Sequence, residues 1–188
     1  MEGCDADEGG APTDWTTRRY RRFAKGGAGL VWIEAVSVLP EGRANPHQLM
    51  ITEENLPAFK KLADDIREAA REEGMEAPRV IVQLTHSGRW SRPVDEKRPI
   101  RAWRSEVLDR HQGLTEDWPI ISDEELERLP ALFGRAAGLC MRAGFDGVDV
   151  KACHLYLISE LLGAKERPAP YGGGYENRTR IYLEMVDA

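Results

Sequence analysis

An α/β fold with parallel strands follows from three features of the sequence. Apolar, β-branched runs recur at "LVWIEAVSV" (residues 30–38), "RVIVQLTHSG" (79–88) and "DGVDVKAC" (146–153). Segments of helical periodicity lie between them. Polar side chains gather where each run ends: Glu34 with Ser37, Gln83 with His86, and Lys151 with His154. Apolar strands alternating with amphipathic helices form parallel βαβ units with right-handed crossovers. Both a (β/α) barrel and an open doubly wound sheet accommodate them. The glycines of "KGGAG" precede their strand instead of following it, so the usual dinucleotide fingerprint is absent. In barrels the chemistry is built at the C-terminal strand ends, where these polar residues fall.

The elements follow in order. After the strand at 30–38, a loop through "LPEGRANPHQLMI" leads to a helix from about 55 to 73. Its face is Leu56, Phe59, Leu62, Ile66 and Ala69 or Ala70, and Pro57 suits the first turn. Beyond the second strand, a loop of about 35 residues rich in Arg, Pro and Trp runs to Ser122. A loop that long in a compact domain is usually either functional or a sign that an element within it has been missed. Ser122 and Glu125 form a capping box. Leu126, Leu129, Phe133, Ala136 or Ala137 and Cys140 give the next helix its face, and Pro130 is expected to kink it. The third strand follows, and "YENRTRIYLEMVDA" starts another helix.

Composition narrows the function. The 188 residues suffice for one domain, 1–188, and 41% hydrophobic with 31% charged residues describes a soluble globular chain. A net charge of −6 without any basic run argues against nucleic acid. The apolar runs are too short to span a bilayer. The acidic "MEGCDADEGG" lacks the apolar region of a signal peptide. Cys4, Cys140 and Cys153 show no paired spacing, which fits a reduced, cytoplasmic protein with neither disulfides nor a metal site.

Together, "IVQLTHSGRWSRP", "GFDGVDVKACHLYLISELL" and "YGGGYENRTR" resemble the Old Yellow Enzyme family, the FMN-dependent NAD(P)H:flavin oxidoreductases and ene-reductases. "GLVWIEAVSVLPEGRANPHQLMITEENLPAFKKL" extends the similarity over nearly the whole chain. The resemblance implies a TIM, or (β/α)8, barrel with FMN across the strand C-termini. It also implies NADH or NADPH as reductant and a small carbonyl-conjugated alkene as substrate. The family's barrel opens with a strand ending in a proline–methionine pair, and Met1 matches that methionine. The three strands match the second to fourth of the barrel. A whole barrel takes roughly 250 residues. An incomplete barrel, with its first strand largely missing, is therefore expected. Its two open edges imply self-association or a complementary C-terminal half.

The resemblance also assigns roles. Gln83 matches a glutamine that hydrogen-bonds the flavin pyrimidine ring, and Ala35 a small residue that lets the flavin approach. Lys151 and His154 match two donors, three residues apart, that hold the substrate carbonyl oxygen. Tyr156 matches the tyrosine that protonates the α-carbon. Donors aimed at a developing enolate oxygen stabilise the transition state more than the ground state. Lys151 stands where the best-known members carry histidine, and Leu155 where glycine is usual. His86 and Arg89 read as a packed loop anchor and a loop clamp. Glu34 is either a site carboxylate or the partner of an arginine. Three alternatives stay open. Lys151 forms a rim salt bridge with Asp149 or Glu160, it acts as a Schiff-base nucleophile, or the chain is an inactive remnant. The last follows because the family's phosphate site lies toward the last strands.

Overall fold

The computed structural model describes residues 1–188. Its strands are β1 (Leu30–Ser37), β2 (Arg79–Thr85) and β3 (Gly147–Val150), all parallel and paired in that order. The third strand stops short of its expected end at Cys153. The Lys151 N–H nevertheless donates to Leu84 O at 3.0 Å and carries the strand direction one residue further.

Register aligns Ala35, Gln83 and Asp149 in one row, and Val36, Leu84 and Val150 in the next. Aligned residues share a face, and successive residues alternate. Val31, Ile33, Val36, Val80, Val82 and Leu84 therefore face the helices, where all are buried. Leu30, Trp32, Ala35, Ile81, Gln83 and Asp149 face the other, inner side. Strict alternation would have put Glu34 on that inner side. The register shifts between Ile33 and Ala35, so Glu34 is an extra residue, a bulge. The bulge turns Ala35 inward and sends Glu34 toward the first helix.

The six helices are α1 (Asp14–Lys25), α2 (Leu56–Glu72), α3 (Glu106–Gln112), α4 (Asp123–Arg142), α5 (Leu157–Gly163) and α6 (Tyr175–Asp187). Phe59, Leu62, Ile66, Ala69 and Ala70 of α2 join Leu126, Leu129, Phe133, Ala136 and Cys140 of α4 in one apolar cluster with the strands. The capping box forms: Ser122 Oγ accepts from Glu125 N at 3.1 Å, and Glu125 Oε2 accepts from Ser122 N at 2.8 Å. The helix runs unbroken through Pro130. Asp146 ties α2 to the sheet, accepting from Arg67, Arg79 and the Val80 N–H at 2.8 Å each. Burial opposes its ionisation, but these donors hold its pKa at about 2.

Three helices lie outside the expected pattern: α1, α3 and the short α5 between β3 and α6. In α1 the buried positions are Thr16, Tyr20 and Ala24, too polar and too few to register as an apolar stripe. In α3 nothing is buried; it interrupts the long loop on the strength of its caps, Ser105 Oγ at one end and Gly113 at φ 67° at the other.

Candidate functional site

The site lies at the C-terminal ends of the strands, on the inner face. Ala35 is fully buried there, and its N–H donates to Met1 O at 3.2 Å. The segment before α1 thus runs alongside the end of β1. Asn45 Nδ2 donates to Gly3 O at 3.0 Å and holds the same segment. A Cβ on Gly3 would lie 2.5 Å from Glu34 Oε1, so a larger residue here would have to displace the Glu34 carboxylate. Gln83 donates from Nε2 to Asp149 Oδ2 at 2.6 Å, across the row it shares with Ala35. Its amide oxygen remains as an acceptor.

Lys151 follows on the same face. It is buried, and its Nζ has no hydrogen-bond partner. Glu2 Oε2 lies 3.7 Å away, close enough for attraction but too long for a hydrogen bond. This carboxylate takes the place of the expected rim partners Asp149 and Glu160. Below, Nζ sits 4.1 Å from the centroid of the Tyr156 ring, a cation–π contact. Burial lowers the Lys151 pKa, and Glu2 works against that. Tyr156 is buried as well. Burial first, then Glu2, raises its pKa and keeps the phenol protonated. Thr85 Oγ1 and Ser87 Oγ, in the strand end and loop of β2, are buried hydroxyls without partners.

His154 differs from Lys151 and Tyr156 in burial. It is exposed, and its Nδ1 lies 3.5 Å from Cys153 Sγ. His154 and Leu155 adopt φ values of 60° and 56°, left-handed backbone that non-glycine residues avoid. Trp90 Nε1 donates to Leu155 O at 3.1 Å and Leu157 N donates to His86 O at 3.2 Å, which pins this turn from both sides.

The remaining residues are structural. His86 is buried, and its pKa is pushed down to about 4 by desolvation, so the ring is neutral. Its Nδ1 accepts from Gly88 N at 3.0 Å, which leaves the ring proton on Nε2. Arg89 clamps Glu160, Asp109 and the Trp103 carbonyl. Glu34 is the partner of an arginine: its Oε2 accepts from Arg19 at 2.6 Å and from Tyr20 OH at 3.1 Å. Sequence reasoning missed Glu2, Thr85 and Ser87. Nothing local marks Glu2, which reaches Lys151 only through the path of the first residues. A cavity of about 410 Å³ between Ala102–Arg104, Ile120–Asp123 and Glu166–Pro168 is lined by none of these groups. No three His, Cys, Asp or Glu side chains gather to hold a metal ion. No helix is long and apolar enough to cross a membrane.

A parallel α/β sheet that gathers amide, ammonium and phenol groups at its strand C-termini has the layout of α/β folds whose sites are built at that rim. The chain belongs to the NADH:flavin oxidoreductase / NADH oxidase family, which it matches over residues 2–188. That family is one of flavin oxidoreductases, and the relatives it matches include NADPH dehydrogenases. An NADPH dehydrogenase of Bacillus subtilis (strain 168) is 30% identical over 184 residues, covering 96% of this chain and 51% of the relative. The Old Yellow Enzyme from Pichia sp. AKU4542 superposes with a TM-score of 0.80 at 24% identity, over 100% of this chain and 50% of its own. Morphinone reductase in complex with tetrahydroNAD gives 0.76 at 25% identity, over 100% of this chain and 53% of its own. The chain spans about half the length of the curated relatives it matches.

Proposed function

We propose that the chain is part of a cytoplasmic FMN-dependent oxidoreductase that uses NADH or NADPH to reduce an alkene conjugated to a carbonyl group. Its strands would be the second to fourth of a (β/α)8 barrel. One observation carries this reading: the Lys151 ammonium is buried without a hydrogen-bond partner, over Tyr156, at the strand C-termini. Buried polar groups are nearly always paired, so an orphan of this kind is a donor awaiting a ligand.

The residues fit the ring end of a flavin. Gln83 offers an amide on the inner face, Ala35 keeps its row free of bulk, and the Thr85 and Ser87 hydroxyls are unpartnered. FMN, when bound, supplies the hydride that reaches the β-carbon of the alkene. Lys151 and His154 would hold the carbonyl oxygen and stabilise its developing negative charge. Tyr156, kept protonated by its surroundings, would deliver a proton to the α-carbon. A lowered Lys151 pKa supports a second reading, in which a neutral amine forms a Schiff base with a carbonyl substrate.

The open sheet supports an incomplete barrel. Leu30 and Trp32 are 52% and 50% exposed on the inner face. Such surface invites a complementary C-terminal half or self-association. The test is to restore the missing βα units from a family relative and add FMN. A yellow complex whose sustained NADPH consumption under argon requires 2-cyclohexenone is the expected result. A completed barrel that binds no flavin would overturn the reading, and a borohydride-stable adduct on Lys151 would favour the Schiff base.

A further inference from the structure

Lys151 has two possible chemistries, and its charge decides between them. As an ammonium it donates to an oxyanion; as a free amine it attacks a carbonyl carbon. Burial favours the amine. The groups that face Lys151 come from four places. Glu2 belongs to the segment before α1, Asp149 to β3, Cys153 to the loop after β3, and Tyr156 to the start of α5. Asp149 is already engaged by Gln83 at 2.6 Å. Cys153 is exposed. Tyr156 offers its ring face, which attracts a cation without carrying charge. Glu2 is different. Its Oε2 is buried, lacks a hydrogen bond, and lies 3.7 Å from Nζ, and Glu2 forms no other ion pair.

We infer that Glu2 is a positioning residue that holds Lys151 in its ammonium form and so assigns it to oxyanion stabilisation instead of Schiff-base chemistry. The backbone contacts of Met1 with Ala35 and of Gly3 with Asn45 fix the segment on either side, so the carboxylate is delivered to this spot by the fold. Among the groups that restore the lysine's basicity against burial, Glu2 acts most strongly, ahead of Cys153 and Asp149. The consequence for catalysis rests on the reading of Lys151 as a carbonyl-oxygen donor; the protonation state itself does not.

The test follows the Lys151 Nζ resonance in the lysine-labelled 188-residue chain through a pH titration, with Lys151→Arg providing the assignment. Glu2→Gln and Glu2→Ser both remove the charge, and two variants guard against one failing to fold. Each should lower the Lys151 midpoint by about one unit or more, the usual effect of an opposite charge at this range. Glu2→Asp should stay within about half a unit of the original chain. Every unit of fall makes the free amine about tenfold more abundant below the midpoint. Propanal with cyanoborohydride should then alkylate Lys151 faster in the neutral variants, with exposed Lys60 as internal reference. A fall of less than about half a unit in both neutral variants overturns the inference. If the completed, flavin-loaded protein reduces no alkene, the proposed reaction fails while this titration stands on its own.

Discussion

Two buried charge clusters sit on either side of the turn that follows β3, and they are built differently. In the first, Arg89 has an acceptor on each of its nitrogens: Glu160, Asp109 and the Trp103 carbonyl. Glu160 accepts further from Ala102 N at 3.1 Å, and Asp109 from Arg101 at 2.9 Å. In the second, Lys151 and Glu2 approach without a hydrogen bond, beside unpartnered Thr85 and Ser87 hydroxyls. Every nitrogen of Arg89 is already committed, so this side chain holds the loop and α5 together instead of offering a donor to a ligand. The unsaturated one carries desolvation that Glu2 and the Tyr156 ring offset without a hydrogen bond, which leaves donors free for a ligand.

Breaking the saturated cluster should have the largest effect. Arg89→Met leaves the buried Glu160 carboxylate without its cation and should cost about 3–5 kcal/mol in urea denaturation. Burial raises the Glu160 pKa above its ordinary 4.5, and Arg89 opposes that rise. A carboxylate whose folded pKa is raised loses stability as pH climbs from the unfolded value through the folded one. The variant's deficit should therefore be greatest near neutrality and shrink toward the ordinary value of 4.5. Equal deficits at both ends would mean that Arg89 contributes packing alone.

Tyr156→Phe tests the other cluster by rate. In the proposed barrel, assembled with βα units of a family relative, stopped-flow measurements should show alkene reduction slowed about 10²–10⁴-fold, the common worth of a general acid. Flavin reduction by NADPH should be unchanged, since no proton from Tyr156 is needed there. Loss of both half-reactions would make Tyr156 a wall of the pocket instead of an acid.

The turn between the clusters predicts a smaller change. Leu155 is 44% exposed and holds φ 56°, so glycine loses little packing and relieves left-handed strain. Leu155→Gly should be neutral to about 1 kcal/mol more stable in thermal or urea unfolding. A marked loss would show that the leucine packs against a part of the protein outside this chain.

The smallest effect sharpens the contrast most. Lys151→Met combined with Glu2→Gln removes a buried ion pair that has no hydrogen bond to lose, so stability should stay within about 1 kcal/mol of the original, or rise. A loss comparable to that of Arg89→Met would move Lys151 to the structural side and remove it from the proposed site.

Much of this molecule was legible from residue order alone. The β-branched runs fixed the strands, because only a parallel sheet covered by helices buries such runs on a whole face. The periodicity of Leu56 to Ala70 and of Leu126 to Cys140 fixed the two crossover helices. The motifs around Gln83 and Lys151 carried the family. What stayed out of reach depended on contacts between distant segments. Glu34 was ambiguous because a bulge is invisible in a strand's own pattern; only pairing with β2 turns Ala35 inward and sends Glu34 to Arg19. Helix α3 has no apolar face to announce it, and Asp109 gains its purpose from Arg89 and Arg101. Sequence spacing grouped Lys151, His154 and Tyr156. The left-handed turn packs the lysine on the tyrosine and leaves the histidine exposed. Glu2 is the clearest case. A carboxylate near the start of an acidic stretch has no local reason to meet a lysine on β3's far end. Only the tertiary path of the backbone excludes water from both, and it is that exclusion which turns an ordinary pair of charges into a determinant of chemistry.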